Sequence, residues 1–117
     1  MQGGSVVQIL IRYEVKEQHV EEHLGLLRQV FRELQEAAIP GFGYAAYQLE
    51  DGVTFVELLD SEEGPAPLAA APTFARYRAT LDARCTTPPT MTELREVASA
   101  GLRLAPVAPG QVPLRDR

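Results

Sequence analysis

The sequence contains no tryptophan and no asparagine, and it has one cysteine, Cys85, and one lysine, Lys16. A single cysteine cannot form a disulfide within the chain, so nothing indicates an oxidising compartment. No apolar run approaches the roughly 20 residues that a helix needs to span a bilayer. The first four residues also lack the basic start of a signal peptide. We therefore expect a cytoplasmic protein without membrane attachment.

Basic charge is also scarce, since 11 Lys and Arg face 16 Asp and Glu and the net charge is −5. A nucleic-acid-binding protein usually presents a basic face, so this role is not expected. The chain has no phosphate-binding glycine loop, no nucleophile elbow and no Cys/His metal spacing. We predict neither a metal nor another cofactor. The 117 residues, 45% of them hydrophobic, suit one soluble domain.

The segment between residues 39 and 60 predicts a β-hairpin. Pro40 and Gly41 end the preceding helix, because proline cannot continue a helix and glycine accepts a left-handed cap. Two runs rich in aromatic and β-branched residues follow, near 43–50 and 53–60, and they are joined at Asp51-Gly52. If these two residues form the centre of a type I′ turn, the register is fixed. The predicted pairs are Tyr47 with Val56, Ala45 with Leu58, Gln48 with Phe55, and Ala46 with Glu57.

The hydrophobic period changes after residue 16. Val6 to Lys16 alternates, with Ile9, Ile11 and Tyr13 on one face, and this pattern predicts a strand. From Glu17 to Ala38 the apolar residues recur at spacings of three and four, which predicts one amphipathic helix. The members of its apolar stripe are Val20, Leu24, Leu27, Phe31, Leu34 and Ala38.

The second half of the chain is less regular. Residues 61–67 are turn-like, and residues 68–71 have room for one helical turn before Pro72. A second helix is predicted to start at Thr73 or its neighbour and to end at residues 86–89, Thr-Thr-Pro-Pro. Its inner face would carry Phe74, Tyr77, Leu81 and Cys85. A weaker strand is predicted over 91–98, followed by a proline-rich tail.

The resulting order, βαββαβ, predicts a ferredoxin-like α+β fold: a four-stranded antiparallel sheet with two helices on one face. Residues 1–100 would form the domain and residues 101–117 the tail. The uncovered sheet face is predicted to be largely apolar, and a second copy of the chain would cover it most economically. The predicted dimer-interface residues are Arg12, Tyr44, Phe55 and Glu57. An Arg12–Glu57 ion pair at this interface is favoured, and a general base at Glu57 is the alternative.

Three short segments carry a resemblance to a known family. They are residues 40–42 (Pro-Gly-Phe), 54–57 (Thr-Phe-Val-Glu) and 71–74 (Ala-Pro-Thr-Phe). In this order of elements they resemble the dimeric α+β barrel superfamily, and within it the antibiotic biosynthesis monooxygenase-like domains. The resemblance covers residues 6–98 and rests on fold markers. It implies a homodimer whose sheets face each other as a barrel, with a ligand pocket between helices and sheet.

Characterised members of that family include cofactor-independent oxygenases of phenols and quinols and haem-degrading enzymes. This chain lacks the tryptophan and asparagine on which the well-studied members rely, and it has Leu68 and Thr73 where many relatives carry histidines. We therefore predict a homodimeric α+β barrel protein with a pocket for a small apolar or aromatic ligand, which is either non-catalytic or of unassigned activity. The alternative is a cofactor-independent monooxygenase acting on a phenol or quinol, with His23 as the base.

The predicted ligand pocket is lined by Tyr13, His23, Tyr47, Phe74 and Tyr77. Tyrosines suit a flat aromatic ligand by stacking and hydrogen bonding, and ordinary core packing is the alternative for them. His23 is the side chain expected to titrate nearest neutrality. His19 lies four residues earlier, so the two histidines could share a metal, but solvated helix positions are the favoured interpretation for both.

Overall fold

The computed structural model describes residues 7–101 of the chain. Its strands and helices follow the predicted order, with two added 3₁₀ turns and a divided second helix. The elements are β1 (Val7–Val15), a 3₁₀ turn (Glu17–His19), α1 (Val20–Ala37), β2 (Phe42–Gln48), β3 (Thr54–Ser61), a 3₁₀ turn (Ala66–Ala70), α2 (Pro72–Ala79), α3 (Leu81–Arg84) and β4 (Cys85–Leu94). Apart from Gly101, the predicted tail lies outside the described residues.

The four strands form one antiparallel sheet in the order β2-β3-β1-β4. Tyr13 of β1 contacts His23 of α1 and Tyr77 of α2, so both helices cover the same face. The ferredoxin-like α+β fold predicted from the sequence is therefore confirmed. We call the covered side the helix side and the other the open side.

The hairpin register is confirmed, but the predicted type I′ turn is wrong. β2 and β3 pair as expected, with Tyr47 opposite Val56 and Ala46 opposite Glu57. A β-turn spans Leu49 to Gly52, where the Gly52 amide donates to the Leu49 carbonyl at 2.9 Å and Gly52 has a φ of 80°. Asp51 keeps a negative φ, and its carboxylate accepts the amides of Val53 and Thr54 instead. A β-turn that ends on a left-handed glycine, here Gly52, joins two strands with the right-handed twist that a type I′ turn also allows.

The same register corrects the predicted sheet faces. Phe55 lies opposite Tyr13 and Glu57 opposite Ile11, so both belong to the helix side, as does Tyr44 beside Leu59. These three residues were predicted on the open side. Tyr47, predicted under the helices, lies on the open side with 46% of its surface exposed. Of the predicted interface residues, only Arg12 is on the open side, so the predicted Arg12–Glu57 ion pair is wrong.

The physical reason is that the two faces of the hairpin are about equally apolar. Tyr44, Ala46, Phe55 and Leu59 alternate with Ala45, Tyr47, Val56 and Leu58, so hydrophobicity alone does not select the buried set. A charged residue usually selects the solvent side, because burial of an unpaired carboxylate is costly. Glu57 is buried nonetheless, because interior hydroxyl groups bind it.

Helix α1 buries a stripe rotated from the predicted one. Its buried residues are His23, Leu26, Leu27, Val30 and Leu34, whereas Val20, Leu24 and Phe31 are partly exposed. The helix ends as predicted before Pro40, with Ala38 in the left-handed conformation at φ 49°. Two of the predicted stripe positions, Leu27 and Leu34, are therefore in the core, and a histidine shares it.

The last strand starts earlier than predicted. α2 ends at Ala79, the four-residue α3 follows, and β4 begins at Cys85, which pairs with Val15 rather than completing a helix face. Pro88 and Pro89 were expected to break structure here. They are accommodated because β4 pairs only with β1 and has no neighbour on its other edge among residues 7–101, where a missing amide donor costs little.

Candidate ligand site around Glu57

Glu57 is a carboxylate in the centre of the core, with 2% of its surface exposed. Three tyrosine hydroxyls donate hydrogen bonds to it. Tyr13 donates to Oε2 at 2.5 Å, Tyr77 also donates to Oε2, and Tyr44 donates to Oε1. An ionised carboxylate accepts several such bonds and has no proton of its own to place. The tyrosines therefore replace the water that burial removes.

A chain of hydrogen bonds connects this carboxylate to a buried arginine. His23 Nε2 lies 2.8 Å from the Tyr13 hydroxyl, and Arg84 Nε donates to His23 Nδ1 at 3.2 Å. Arg84 also donates to the Tyr77 carbonyl at 3.1 Å and to the Thr80 hydroxyl. The positive and negative charges of the core are thus linked through a histidine and a tyrosine rather than in direct contact.

The direction of each hydrogen bond between Arg84 and Glu57 follows from which groups can only donate. Arginine can only donate, so His23 Nδ1 is the acceptor and carries no proton. In the neutral ring the proton is then on Nε2, which donates to the Tyr13 oxygen, while the Tyr13 hydroxyl donates a hydrogen bond to Glu57. Burial, and next the charge of Arg84, lower the pKa of His23 from 6.5 to about 4. His23 is therefore neutral at physiological pH.

The tyrosines of the cluster are held in their protonated form. Burial and the nearby negative charge of Glu57 raise the pKa values of Tyr13 and Tyr77 well above 10, because a second anion in the same site would be repelled. The pKa of Tyr44 is raised for the same two reasons. The resting cluster thus contains a single negative charge shared by three phenols.

Aromatic rings surround the polar groups, and their exposure to solvent increases from Tyr13 towards Tyr44. The His23 ring lies against Phe55, with centroids 4.7 Å apart, and Phe55 stacks on Tyr13 at 5.7 Å. Towards the edge strand β2, Tyr44 stacks on Phe31 at 4.8 Å with only 10° between the rings. Both of these outer rings are partly exposed. The cluster is therefore closed on its Tyr13 side and nearest to solvent at Tyr44.

Contacts between the helices fix the position of α2 over the sheet. The carboxylate of Glu33 on α1 accepts both the amide and the hydroxyl of Thr73, at 2.8 and 2.7 Å, and so satisfies the first turn of α2. Farther along, a groove of about 350 Å³ runs between α1 and α2, lined by Glu22, Gly25, Leu26, Gln29, Arg76 and Thr80. Thr80 belongs both to this groove and to the contacts of Arg84.

The structure brings four of the five predicted pocket residues into one neighbourhood. Tyr13, His23 and Tyr77 are in direct contact, and the Phe74 ring lies 5.8 Å from that of Tyr77. Tyr47 is the exception, because it points to the open side. That the four line a ligand cavity stays a prediction. His23, for which a solvated position was favoured, is fully buried, and this interpretation is corrected.

The sequence did not place the two charged residues of the cluster in the core. Arg84 was not predicted as a site residue, and Glu57 was predicted on the open side, with a general base there as the alternative; both are buried. Residue 57 shares a strand face with the apolar positions 55 and 59, but Val56 and Leu58 make the other face equally apolar, so the pattern alone does not mark Glu57 as buried. No comparable periodicity marks Arg84 at the end of the four-residue α3.

The two histidines do not form a metal site with other side chains. His19 lies beside Glu22 at 3.3 Å, whereas both nitrogens of His23 are engaged within the core. Within the part of the chain that the structure describes, no three His, Cys, Asp or Glu side chains lie close enough together to hold a metal ion. None of the helices in residues 7–101 is long and apolar enough to cross a membrane.

Comparison with known proteins gives no match in sequence and clear matches in structure. No family model matches the chain. No curated protein matches it in sequence either. A candidate antibiotic biosynthesis monooxygenase from Nitrosomonas europaea superposes with a TM-score of 0.66 at 15% identity, covering 86% of this chain and 99% of that chain.

Two further structures show the range of proteins with this fold. A point mutant of SnoaB, a cofactor-independent oxygenase from Streptomyces nogalater, has a TM-score of 0.61 at 16% identity and covers 83% of this chain and 98% of its own. The Nitrosomonas europaea protein NE2512, of unknown function, has a TM-score of 0.60 at 18% identity, with coverage of 86% and 99%. The chain thus has the fold of the antibiotic biosynthesis monooxygenase-like proteins, which confirms the resemblance at the level of the fold.

Proposed function

We propose that this chain is a homodimeric binding protein for a small aromatic molecule, which it holds between the helices and the sheet. The observation that carries the proposal is the buried carboxylate of Glu57, ringed by aromatic side chains and closest to solvent at the stacked pair Phe31 and Tyr44. Flat rings stack favourably on such side chains, and a single buried acceptor orients a ligand that carries a hydroxyl group.

Binding without chemistry is favoured because the cluster is complete by itself. Among the described residues, every buried side-chain nitrogen and oxygen atom has a hydrogen-bond partner. An active site more often keeps a donor or acceptor free for the reacting atoms. Here each group of the cluster, from Arg84 to Glu57, already has at least one hydrogen-bond partner among its neighbours.

The homodimer rests on the open side of the sheet. Leu10, Val56 and Leu58 lie there beside Ala45 and the exposed ring of Tyr47, and the first four of these residues are only partly buried. A second copy related by a two-fold axis would bury this apolar patch. The interface thus includes these residues and the previously predicted Arg12, in place of Tyr44, Phe55 and Glu57.

Sedimentation velocity tests the dimer. The wild-type protein at 10 μM should have twice the mass of the 12.8 kDa chain. Leu58→Glu should give monomer, because it places a charge in the middle of the apolar patch, while Glu62→Gln, which changes an exposed residue after β3, should remain dimeric. A folded wild-type monomer at this concentration contradicts the proposal.

A cofactor-independent monooxygenase acting on a phenol or quinol is the second candidate. Two observations favour it: the structural likeness to SnoaB, and a carboxylate that accepts hydrogen bonds from phenol hydroxyls. His23 is a weaker candidate for the base than predicted, since its pKa is lowered to about 4 and Arg84 occupies Nδ1. Glu57 already faces phenol hydroxyls and is the better placed base.

One pair of measurements separates the candidates. Isothermal titration under argon with 1,4-naphthohydroquinone should show binding in either case. If the chain only binds, oxygen consumption by the same mixture in air should not exceed the autoxidation rate of the quinol without protein, and the same rate should be seen with Glu57→Gln. Faster consumption by the wild type that Glu57→Gln abolishes would establish the oxygenase, and no binding to any small aromatic would refute both.

A further inference from the structure

Glu57 presents its two oxygen atoms to different surroundings. Oε2 accepts the hydroxyls of Tyr13 and Tyr77, which are both fully buried. Oε1 accepts only the hydroxyl of Tyr44, whose side chain is partly exposed. One side of the carboxylate is thus a fixed part of the core, and the other is closed by a single side chain near the surface.

We propose that the Oε1 side of Glu57 is a receptor site for the hydroxyl group of an external phenol, and that Tyr44 occupies this site in the unliganded protein as a removable stand-in. The inference rests on the proposed function, since it presumes an aromatic ligand, and it names the class of that ligand and the group that recognises it.

The surroundings of Tyr44 are those that a free phenol requires. Its ring stacks on Phe31, with centroids 4.8 Å apart and planes 10° from parallel, and the Phe42 ring lies 6.2 Å away. Its hydroxyl meets a carboxylate oxygen at the inner end. A slot with an aromatic wall and one charged acceptor binds a phenol in one orientation, because stacking and a charge-assisted hydrogen bond are satisfied together.

The location of Tyr44 allows it to leave. It belongs to β2, which is at the edge of the sheet and has no strand on its outer side among residues 7–101. Its partner in the stack, Phe31, is likewise partly exposed. Tyr13 and Tyr77, by contrast, are enclosed by the central strands and by α2, so their replacement would require the core to open.

The exchange of one phenol for another keeps the buried charge solvated by the protein. A ligand hydroxyl on Oε1 replaces the Tyr44 hydroxyl bond for bond, so no carboxylate oxygen loses its donor. A ligand of the same shape without a hydroxyl would leave Oε1 unpaired in the core, which carries a penalty. Sites of this kind discriminate strongly against analogues that lack the polar group. We therefore expect selectivity for phenols over their ethers and hydrocarbons.

Tyr44→Ala provides the direct test, with p-cresol as the probe because it is the missing side chain in free form. p-Cresol near saturation should raise the Tm of this variant by about 5 °C, since a bound ligand stabilises the folded state by mass action. Toluene, which lacks the hydroxyl, should give less than half of this shift. The matched control is Tyr47→Ala, which removes an exposed tyrosine from the same strand. Because this variant keeps Tyr44 on Oε1, p-cresol must displace that side chain, so its Tm should rise by less than half as much with p-cresol and should not respond to toluene.

The wild-type protein provides a second measurement that does not depend on the folding of the variant. Titration of ¹³C-tyrosine-labelled protein with 2-naphthol should shift the Tyr44 signal and leave the Tyr47 signal in place. 2-Methoxynaphthalene should bind at least about tenfold more weakly, which corresponds to 1.4 kcal/mol.

The outcomes separate the inference from the proposed function. Equal stabilisation of Tyr44→Ala by p-cresol and toluene, or naphthol binding to the wild type without a shift of Tyr44, overturns the inference and leaves a binding protein with another site. If the wild type binds no aromatic compound, the proposed function and the inference both fail, even where p-cresol rescues Tyr44→Ala, because filling the space left by the variant does not show that Tyr44 leaves in the wild type. Absence of both rescue and displacement overturns the inference.

Discussion

Tyr44 and Tyr47 are three residues apart on β2, and they show how differently the two sides of the sheet are built. Tyr44 faces the helices, and its hydroxyl donates a hydrogen bond to the buried carboxylate of Glu57. Tyr47 faces away from them, and nearly half of its surface is exposed. The helix side thus combines polar groups with aromatic rings, whereas the open side has an apolar patch at Leu10, Val56 and Leu58 that is flanked by polar residues.

The difference indicates a division of roles. Buried polar groups require complete hydrogen bonding, which specifies one arrangement of side chains and makes the helix side a place for recognition. An uncovered apolar patch requires no specific partner atoms and is stabilised by any complementary surface, so it suits association. A charged residue on the helix side should therefore matter much more to stability than one on the open side.

The largest effect is expected for Glu57→Gln. The amide keeps the size of the side chain but offers one acceptor and two donors to three tyrosine hydroxyls, so the cluster loses matched hydrogen bonds and its negative charge. We expect a loss of about 4 kcal/mol in the free energy of unfolding, measured by urea denaturation. Asp60→Asn, on the open side of the same strand, should cost less than about 0.5 kcal/mol. Similar losses for both variants would remove the contrast between the faces.

A pH-dependent loss of stability should arise from His23. Its pKa is about 4 in the folded protein and 6.5 in the unfolded chain, so both states are neutral above pH 7. As the pH falls from about 6.5 to about 4, the unfolded chain takes up the proton and the folded chain does not. Stability is therefore lost across this window, by about 3 kcal/mol in total.

The change is measured as the difference between the free energies of unfolding at pH 7.5 and pH 4. The decrease should be smaller by roughly 3 kcal/mol in His23→Gln than in the wild type, because glutamine has no such proton to take up. His19→Gln is the control, since His19 lies outside the cluster. Equal pH dependence in wild type and His23→Gln would show that His23 is not buried neutral.

A smaller effect is expected at the turn that fixes which residues face the helices. A one-residue slip in β2 or β3 would exchange the two faces of the hairpin. Gly52 has a φ of 80°, and no neighbouring atom lies within 4 Å of a built Cβ, so only backbone strain opposes a larger residue. Gly52→Val should lower the free energy of unfolding by about 2 kcal/mol.

Gly25 serves as the matched glycine. It lies in α1 with no positive φ and also has open space around a built Cβ. Gly25→Ala should therefore raise stability by about 0.5–1 kcal/mol through the helix preference for alanine. Thermal melts of both variants give the comparison. An unchanged melt for Gly52→Val would mean that the left-handed conformation at residue 52 is not required.

The sequence was sufficient for the order of elements and for the hairpin register, because both follow from short-range signals. The periodicity of residues 17–38, the Pro40-Gly41 stop and the Asp51-Gly52 turn act within a few residues. The assignment of faces in β2 and β3 was not accessible in this way. It depends on the pairing of β3 with β1, which joins residues 40 to 54 positions apart in the sequence, and on partners that make a buried Glu57 tolerable.

The candidate site was predictable only in part for the same reason. Tyr13 and Tyr77 were expected together because each lies on the apolar face of its own element. The importance of Glu57 and Arg84 arises only when three elements meet, since each charge is stabilised by groups distant in sequence. Pro88 and Pro89 were expected to end the second helix, and the helices do end before them, at Arg84. That the two prolines lie inside β4 was not expected, and an edge strand that pairs on one side tolerates them.

The most direct test is a pH titration of the four tyrosines, followed by their ¹³Cζ signals. A parallel titration by ultraviolet absorbance is free of overlap with tryptophan, because the chain has none. Tyr47 is assigned from the signal missing in Tyr47→Phe. Burial around Glu57 raises the pKa values of Tyr13, Tyr44 and Tyr77, so these three signals should keep their positions through pH 11. Ionisation of two or more tyrosines in the folded protein by pH 11 would contradict a carboxylate-centred cluster on the helix side.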